Sequence, residues 1–228
     1  MAALSDYIDS TRTFLRDYLS GGSVSSQFFT DAQVIKWVNQ GRADVVRDSN
    51  CCREVALLPL SMGVERYSRS GMVTALLNQG TSASAIYGVI GCVLEWTPSL
   101  KFALDRLAYA QFSAYYRAIP TFQSFPIKYC EYAQNIYVAP VPNQSYTLEV
   151  DTLYLPTKLV ATTDQETSLY DPWIDLVPIK AAKWLKWFQQ SFQESDQIEK
   201  IYQQEFYAKQ QSAPAFSVPS EYDNIDTL

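Results

Sequence analysis

The sequence predicts an α+β fold that is mainly helical, with β-rich insertions and an extended C-terminal arm. Three observations support this class: helical periodicity towards both ends of the chain, its loss between Arg53 and about Glu95, and a strand-like alternation near residue 150. With 228 residues, 47% of them hydrophobic, the chain can bury a sizeable core. We expect a helical bundle plus a small antiparallel sheet or hairpin. Residues 1–211 would form one helical domain with β-rich insertions at about 53–96 and 126–156, and residues 212–228 the arm.

Two amphipathic helices are expected within the first 50 residues. Apolar side chains recur at helical spacing from Ser5 to Leu19, and Gly21-Gly22 supplies a stop. The second helix begins at Thr30, because the segment Thr30–Gln33 has the form of a capping box, and it extends to about Asp48. Its apolar stripe consists of Val34, Ile35, Val38, Val45 and Val46.

The middle of the chain is expected to form short strands joined by loops. β-Branched and aromatic residues are punctuated by glycines there, and the best strands are Glu54–Leu58 and Ala85–Trp96. Residues Met72–Leu77 fit either a strand or a turn of helix. Apolar residues then repeat at three and four over Leu100–Tyr115, which predicts a third helix that ends at Pro120.

The C-terminal half is expected to pass from strands to helices. Strands over Ile127–Tyr132 and Asn135–Ala139 precede Ser145–Leu155, whose apolar and polar residues alternate as in a hairpin with one solvated face. A helix should open at Asp171-Pro172, and Pro178 must kink or restart it. Its apolar stripe is Ile174, Ala181, Leu185, Phe188 and Phe192. A last helix over about Ser195–Gln210 carries Ile198, Ile201, Tyr202 and Phe206.

Composition argues against most enzyme classes. The chain contains no histidine, which is the commonest general base and metal ligand near neutral pH. Its 18 Lys and Arg residues against 24 Asp and Glu give a net charge of -6, which disfavours a protein that grips the phosphates of nucleic acid. Neither a phosphate-binding glycine motif nor the nucleophile elbow of serine hydrolases occurs. We therefore expect a structural protein without a cofactor.

The cysteines and the apolar runs indicate a soluble chain with reduced thiols. Cys51 and Cys52 are adjacent, while Cys92 and Cys130 stand alone, so neither a disulfide scaffold nor a zinc site is expected. The longest mostly apolar run, Ile86–Leu94, is about half of the roughly 20 residues that a membrane helix requires. No membrane segment is expected.

Carboxylates are the remaining catalytic candidates, because a glycosidase needs only two of them, roughly 5 to 10 Å apart. Nothing in their spacing selects a pair, and we assign no catalytic residue and no metal ligand. The acidic residues considered are Asp31, Asp44, Glu54, Glu95, Asp105, Glu131, Glu149, Asp151 and Asp175.

Two features indicate docking surfaces. After Lys209 the chain has no basic residue, and its tail mixes acids with apolar residues, so the tail is either disordered or an arm that orders on a partner. Trp187 falls away from the Leu185 stripe on a helical wheel and sits with Lys180 and Lys183. It either packs under the neighbouring helix or makes a subunit contact, where tryptophan is enriched. The candidate partner-binding residues of the arm are Phe216, Val218, Tyr222, Ile225 and Leu228.

The order of these parts carries a family resemblance. The segments are T-D-A-Q-V-I-K-W-V-N-Q-G-R-A-D-V (Thr30–Val45), Y-T-L-E-V-D-T-L-Y-L-P (Tyr146–Pro156) and Y-D-P-W-I-D-L-V-P-I-K-A-A-K (Tyr170–Lys183). The chain resembles the head-to-tail adaptor proteins of tailed bacteriophages, especially short-tailed ones, over about Asp6–Tyr207. The sharpest pieces are W-V-N-x-G-R and L-V-P-I-K-A-A.

The resemblance implies a structural virion protein rather than an enzyme. Twelve copies would form a ring between the portal ring and a tail or nozzle protein and extend the DNA channel, through which DNA passes without sequence-specific binding. The C-terminal arm would reach the portal, and the protein would occupy the virion neck after assembly in the host cytoplasm. Some relatives carry a reported cell-wall-degrading activity, but no residue pair here matches it. A carboxylate-dependent cell-wall glycan hydrolase and a monomeric binding module are the alternatives.

Overall fold

The computed structural model describes residues 2–15, 28–97, 100–117 and 122–212. The helices of these residues are α1 (Leu4–Leu15), α2 (Asp31–Ser49), α3 (Arg69–Asn78), α4 (Tyr109–Tyr116), α5 (Leu176–Phe188) and α6 (Phe192–Ser212). The strands are β1 (Arg53–Leu60), β2 (Arg66–Ser68), β3 (Ala83–Thr97), β4 (Leu100–Ala103), β5 (Asp105–Arg106), β6 (Gln123–Ser124), β7 (Lys128–Tyr132), β8 (Asn135–Ala139), β9 (Val141–Pro142) and β10 (Tyr146–Pro156). The predicted α+β class is confirmed.

The chain divides into two compact units. The helical unit lies within Met1–Cys51 and Leu159–Leu228 and contains α1, α2, α5 and α6. The β-rich unit is Cys52–Lys158 and contains the strands together with α3 and α4. Of the proposed arm, residues 212–228, only Ser212 is described, and it is the last residue of α6.

Helix α2 forms as the sequence predicts. The side chain of Thr30 accepts a hydrogen bond from the Gln33 N–H, and the Gln33 side chain accepts one from the Thr30 N–H, so the capping box is present. Asn50 adopts a left-handed conformation, with φ 52°, and donates its N–H to the Val46 carbonyl, which ends the helix. Val34, Val38, Val45 and Val46 are buried as expected.

Helix α5 starts later than predicted. The expected opening at Pro172 is wrong, because α5 begins at Leu176. Pro178 then falls in the first turn, where its missing N–H removes no intrahelical hydrogen bond. The predicted stripe is buried at Ala181 and Leu185. Its continuation to Phe188 and Phe192 is wrong, because both side chains are exposed. The chain leaves α5 after Phe188 and turns at a left-handed Gln190 (φ 64°), so the helical spacing does not continue to Phe192.

Helices α5 and α6 run antiparallel along one another. An ion pair joins Lys186 to Glu194 near the turn between them, and another joins Lys209 to Asp175 at the opposite end. Ile198, Tyr202 and Phe206 are buried as predicted, whereas Ile201 is 41% exposed.

The β-rich unit is built around strand β10. It pairs antiparallel with β1 on one side and β3 on the other, in a four-stranded sheet of order β1-β10-β3-β4. The predicted alternation is present, with Tyr146, Leu148 and Val150 buried. The local hairpin is instead β7–β8, which belongs to a second sheet of order β2-β8-β7-β5. Its turn places Ala133 and Gln134 at positive φ, as a tight hairpin requires.

The helix predicted over Leu100–Tyr115 is wrong in its first half. Residues Leu100–Ala103 form β4, which pairs antiparallel with β3, and helix α4 begins only at Tyr109. The antiparallel pairing with β3, the strand that immediately precedes it, satisfies backbone groups of β4, and this outweighs the helical spacing of the apolar residues. Residues Met72–Leu77 belong to a helix, α3. The predicted stop at Pro120 lies outside the described residues.

All four cysteines lie in the described residues and form no disulfide with one another, and Cys52, Cys92 and Cys130 are buried. Burial raises the pKa of the Cys130 thiol to about 11. In the described part of the chain, no helix combines the length and the apolar character needed to cross a membrane.

Candidate functional site

The two sharpest motifs of the sequence pack against each other in the contact between α2 and α5. W-V-N-x-G-R lies on α2, and L-V-P-I-K-A-A forms the first half of α5. The close approach occurs at Gly41, where an added Cβ would lie 3.0 Å from both the Val177 carbonyl oxygen and the Ala181 nitrogen. Asn39 fixes a neighbouring loop, since its side chain donates to the Leu159 carbonyl at 2.8 Å and accepts from the Leu159 N–H at 2.9 Å.

The arginine of the same motif forms a buried ion pair. Arg42 donates from Nε to Glu166 Oε2 at 2.6 Å and from Nη2 to Oε1 at 3.0 Å, and the two residues are 3% and 1% exposed. Burial alone would raise the pKa of the Glu166 carboxyl, but the hydrogen bonds and charge of Arg42 and two backbone N–H groups lower it overall. Tyr7 of α1 also donates to Glu166, at 3.3 Å. The pair therefore ties α1, α2 and the loop that precedes α5 together.

Five large aromatic residues lie together where α5 ends and α6 begins, and we call them the aromatic surface. The rings of Trp37 and Trp184 stack at 5.8 Å between centroids, and Phe188 packs against Trp37 at 6.1 Å. Trp187 contacts Trp184 edge-on at 5.9 Å and Phe192 at 6.5 Å. The aromatic surface thus extends outwards from the α2–α5 contact.

The outer part of the aromatic surface faces solvent. Trp187 is 49% exposed, Phe188 52% and Phe192 54%. Trp187 contacts Phe192, the first residue of α6, and keeps half of its surface accessible. Its role in a subunit contact stays a prediction.

Charged groups of both signs surround the aromatic surface. Lys36 lies over the Trp37 ring at 4.8 Å, and Lys183 lies over the Trp184 ring at 5.1 Å. The Trp184 indole N–H donates to Asp44 at 2.7 Å, which fixes that ring. Two ion pairs flank the group, namely Lys183–Glu199 at 3.0 Å and Lys186–Glu194 at 2.7 Å.

Lys180, which the helical wheel placed beside Trp187, points elsewhere. It is buried, with its ammonium group 3.3 Å from Asp48 and 3.2 Å from Glu199, and 3.8 Å from the centre of the Tyr202 ring. Tyr202 donates to Asp48 at 2.7 Å, and burial together with that carboxylate raises the pKa of its hydroxyl. This network anchors α6 to α2 and α5, and so holds the aromatic surface in place.

The carboxylates considered as catalytic candidates mostly form ion pairs. The partnered acids are Asp31 with Arg12, Asp44 with Arg47, Asp105 with Lys128, Glu131 with Arg69 and Arg106, Glu149 with Lys101, Asp151 with Arg53, and Asp175 with Lys209. The remaining two are Glu54, which accepts from the Val55 N–H, and the partly buried Glu95. The pKa is lowered at Asp164, Glu166 and Glu199, whereas a general acid needs a raised pKa.

Sequence reasoning missed Glu166, the most deeply buried acid among the described residues. Its neighbours in the loop carry no motif, and the only signal was its partner, because Arg42 lies on the apolar face of α2 and an arginine there needs a carboxylate. The residues predicted for the arm, Phe216, Val218, Tyr222, Ile225 and Leu228, lie outside the described residues. Within the described ranges, no cluster of three or more Cys, Asp or Glu side chains could hold a metal ion.

The sequence motifs hold helices together, and large aromatic side chains face solvent beside them, as is typical of an interaction surface. A family model described as the SU10 adaptor protein matches residues 2–217. The chain belongs to the SU10 adaptor protein family, which confirms the predicted kinship with phage head-to-tail adaptors. That family consists of structural phage adaptors and is not a known enzyme class. Membership implies that the protein is located in the virion and contacts other virion proteins such as portal and tail. A comparison with curated proteins finds no match.

Proposed function

We propose that this protein forms a ring of twelve copies between the portal and the tail of a short-tailed phage and continues the DNA channel. The observation that carries the proposal is the family match over residues 2–217. The ring would assemble in the host cytoplasm, and a tail or nozzle protein would bind on the side away from the portal.

The aromatic surface supplies one side of the proposed subunit contact. A ring needs two different faces on each subunit, and buried aromatic anchors commonly dominate such contacts. Covering the exposed halves of Trp187, Phe188 and Phe192 would contribute roughly 2–4 kcal/mol, since full burial of a large apolar side chain is worth about 1.5–3 kcal/mol. That is less than the roughly 4–15 kcal/mol that association costs. The aromatic surface therefore cannot hold two subunits together alone, and a ring needs further contacts or docking on the portal.

The C-terminal arm supplies the proposed portal contact. Its apolar residues Phe216, Val218, Tyr222, Ile225 and Leu228 are interspersed with Glu221, Asp223 and Asp226. Such a segment can bind along a preformed groove while its acids stay in water. Deleting Pro214–Leu228 should abolish or weaken portal docking and leave the far-UV circular dichroism spectrum of the helical unit unchanged. Undiminished docking would refute this assignment of the arm.

The charge balance suits a channel that lets DNA pass. A net charge of -6 repels phosphates on balance, whereas a basic lining would retard the passing DNA. We expect no measurable binding of the purified protein to duplex DNA at physiological salt. A nanomolar affinity in a filter-binding assay would contradict the channel role.

The decisive experiment is electron microscopy of the protein alone and with its portal, with class averages that reveal rotational symmetry. Trp187→Ala should reduce the fraction of complete rings while the monomer stays folded. The matched control is Trp96→Ala, because Trp96 is 47% exposed and lies in the β-rich unit. Equal ring yields from both variants would remove Trp187 from the contact. The absence of rings under every condition would refute the ring itself.

A non-enzymatic role is part of the proposal. The competing activity is a carboxylate-dependent hydrolysis of cell-wall glycan, and a zymogram with purified protein tests it directly. We expect no clearing. Clearing that disappears on two particular carboxylate-to-amide changes would overturn the structural role. If the protein stays a single monomeric species in the presence of every candidate partner, a binding module is favoured instead.

A further inference from the structure

We propose that side chains close the free edge of strand β1 and so prevent it from pairing with the β1 edge of a second copy of the chain. The residues that close the edge are Glu54, Pro59, Tyr67 and Gln79. The proposal goes beyond the proposed function, because it concerns a contact that the subunit avoids. It can be tested on the chain alone, without a portal or a tail protein.

Strand β1 is an edge strand of the kind that pairs with other chains. It has eight residues and lies at the end of the sheet order β1-β10-β3-β4, so β10 covers one of its sides and no strand of that sheet covers the other. Val55 and Leu57 on this strand are 38% and 43% exposed. A long edge strand with exposed apolar side chains is a site of aggregation unless the protein blocks it.

The backbone groups of β1 point alternately to its two sides. The Tyr154 N–H donates to the Cys52 carbonyl just before the strand, which identifies a pair of residues whose backbone groups face each other. Because this pattern repeats at every second residue of an antiparallel pair, the even-numbered residues of β1 bond to β10. The odd-numbered residues direct their N–H and carbonyl groups to the free edge. They include Val55, Leu57 and Pro59, and Ser61 follows directly after the strand.

The side chain of Gln79 occupies the middle of the free edge. Its Nε2 donates to the Val55 carbonyl at 3.1 Å, and its Oε1 accepts from the Leu57 N–H at 3.4 Å. The end of α3 holds this residue in place, since the Gln79 N–H donates to the Ala75 carbonyl and the chain then turns at Gly80, with φ 88°. Gln79 therefore takes both an acceptor and a donor that an added strand would need.

The other N–H positions of the edge are closed as well. The Val55 N–H donates to Glu54 Oε1 at 3.3 Å. Position 59 is a proline, which has no N–H to offer, and proline within sheets is confined largely to such edges. The Ser61 N–H donates to the hydroxyl of Tyr67 at 2.9 Å. Each outward position from Val55 to Ser61 is thus unable to donate to a second strand.

The closed edge leaves the association of subunits to side-chain surfaces. Pairing of two β1 edges would be antiparallel and would use the same patch on both copies, so it would join them about a twofold axis. A ring instead uses two different faces of each subunit. Closure of the edge therefore removes a contact that would compete with the proposed ring.

The test is the variant Gln79→Ala of the full chain. In a dilute sample, the Leu57 amide hydrogen should exchange with solvent roughly threefold faster or more, because it loses its acceptor. In sedimentation velocity at rising concentration, the variant should form a species of twice the wild-type mass, because the edge is open. The matched control is Asn78→Ala, which changes an exposed neighbour at the end of α3 and should alter neither measurement.

A second substitution separates edge pairing from loss of folding. Leu57→Lys, added to Gln79→Ala, places a charge in the middle of the edge, where two copies would bring like charges together. The double variant should return to the wild-type mass, whereas aggregation caused by unfolding would persist. The proposal is overturned if Gln79→Ala leaves either measurement unchanged, if Asn78→Ala has the same effect, or if the double variant stays associated.

Discussion

The buried pair of Arg42 and Glu166 gives the sharpest prediction for stability. Glu166→Gln keeps an acceptor oxygen for the neighbouring N–H donors, which lie 3.0 Å away at Ser168 and 3.2 Å away at Leu169, but it removes the charge. The guanidinium of Arg42, only 3% exposed, is then buried without a counter-charge. Breaking a buried pair in this way costs about 3–5 kcal/mol, which is a large part of the roughly 5–15 kcal/mol that keeps a domain folded.

The reverse change should cost less. Arg42→Met leaves the Glu166 carboxylate with three donors, namely the hydroxyl of Tyr7 and the N–H groups of Ser168 and Leu169. We expect a loss of about 2–3 kcal/mol, since hydrogen bonds to the charged form partly replace the cation. In the double variant no charge is buried, so its loss should fall short of the sum of the single losses by about 1–3 kcal/mol.

The assay is urea unfolding followed by circular dichroism, which gives the free energy of unfolding for each variant. The matched control is the ion pair of Arg53 with Asp151. It is also held through two guanidinium nitrogens, Nε and Nη2, but it lies nearer the surface. Arg53→Met should cost no more than about 1 kcal/mol. Strictly additive losses for Arg42 and Glu166, or a cost no greater than that of the surface pair, would refute the reasoning.

Two further predictions follow from the helical unit. Gly41→Ala should lower the free energy of unfolding by about 1–2 kcal/mol, because a tight contact with the backbone of Val177 and Ala181 outweighs the roughly 1 kcal/mol that alanine gains in a helix. The control is Gly91→Ala. Gly91 has open space around it, so this variant should change the free energy of unfolding by less than about 0.5 kcal/mol. Equal effects would contradict the close approach. The lowered pKa of Glu166 stabilises the fold above the ordinary value of 4.5, and this contribution is lost as the pH falls through the lowered pKa. The free energy of unfolding should therefore drop between about pH 5 and pH 2, with a shallower slope in Glu166→Gln, and an unchanged slope would count against the pair.

Features set by neighbouring residues in the chain were predictable from the sequence. The capping box at Thr30 needs only four residues, and the buried face of α2 follows from a period of 3.6. Strand β10 was recognisable because its alternation has a period of two. In each case the same short segment carries both the signal and the structure.

Features set by strand pairing, by turns without a sequence signal or by distant partners were not predictable. Leu100–Ala103 has helical spacing, yet it pairs with the preceding strand β3 and forms an edge strand. Phe192 continues an apolar spacing, but the turn at Gln190 separates it from the buried stripe, and Phe188, at the end of α5, is exposed. Glu166 carried no motif, since its burial depends on an arginine 124 positions earlier in the chain. A single sequence contains no measure of such long-range contacts.

The two sharpest motifs and the exposed aromatics have different physical roles. Gly41 and Arg42, from the first motif, and Ala181, from the second, are buried and hold the helices together, so substitutions there act on folding. Trp187 and Phe192 lie outside both motifs and keep about half of their surface exposed, so their truncation costs little in the isolated subunit. A loss of assembly without a loss of stability should therefore appear at Trp187 and Phe192 and not at Gly41 or Arg42. Family membership identifies the scaffold, and the residues that would select a neighbour in the proposed ring must be sought beside the motifs.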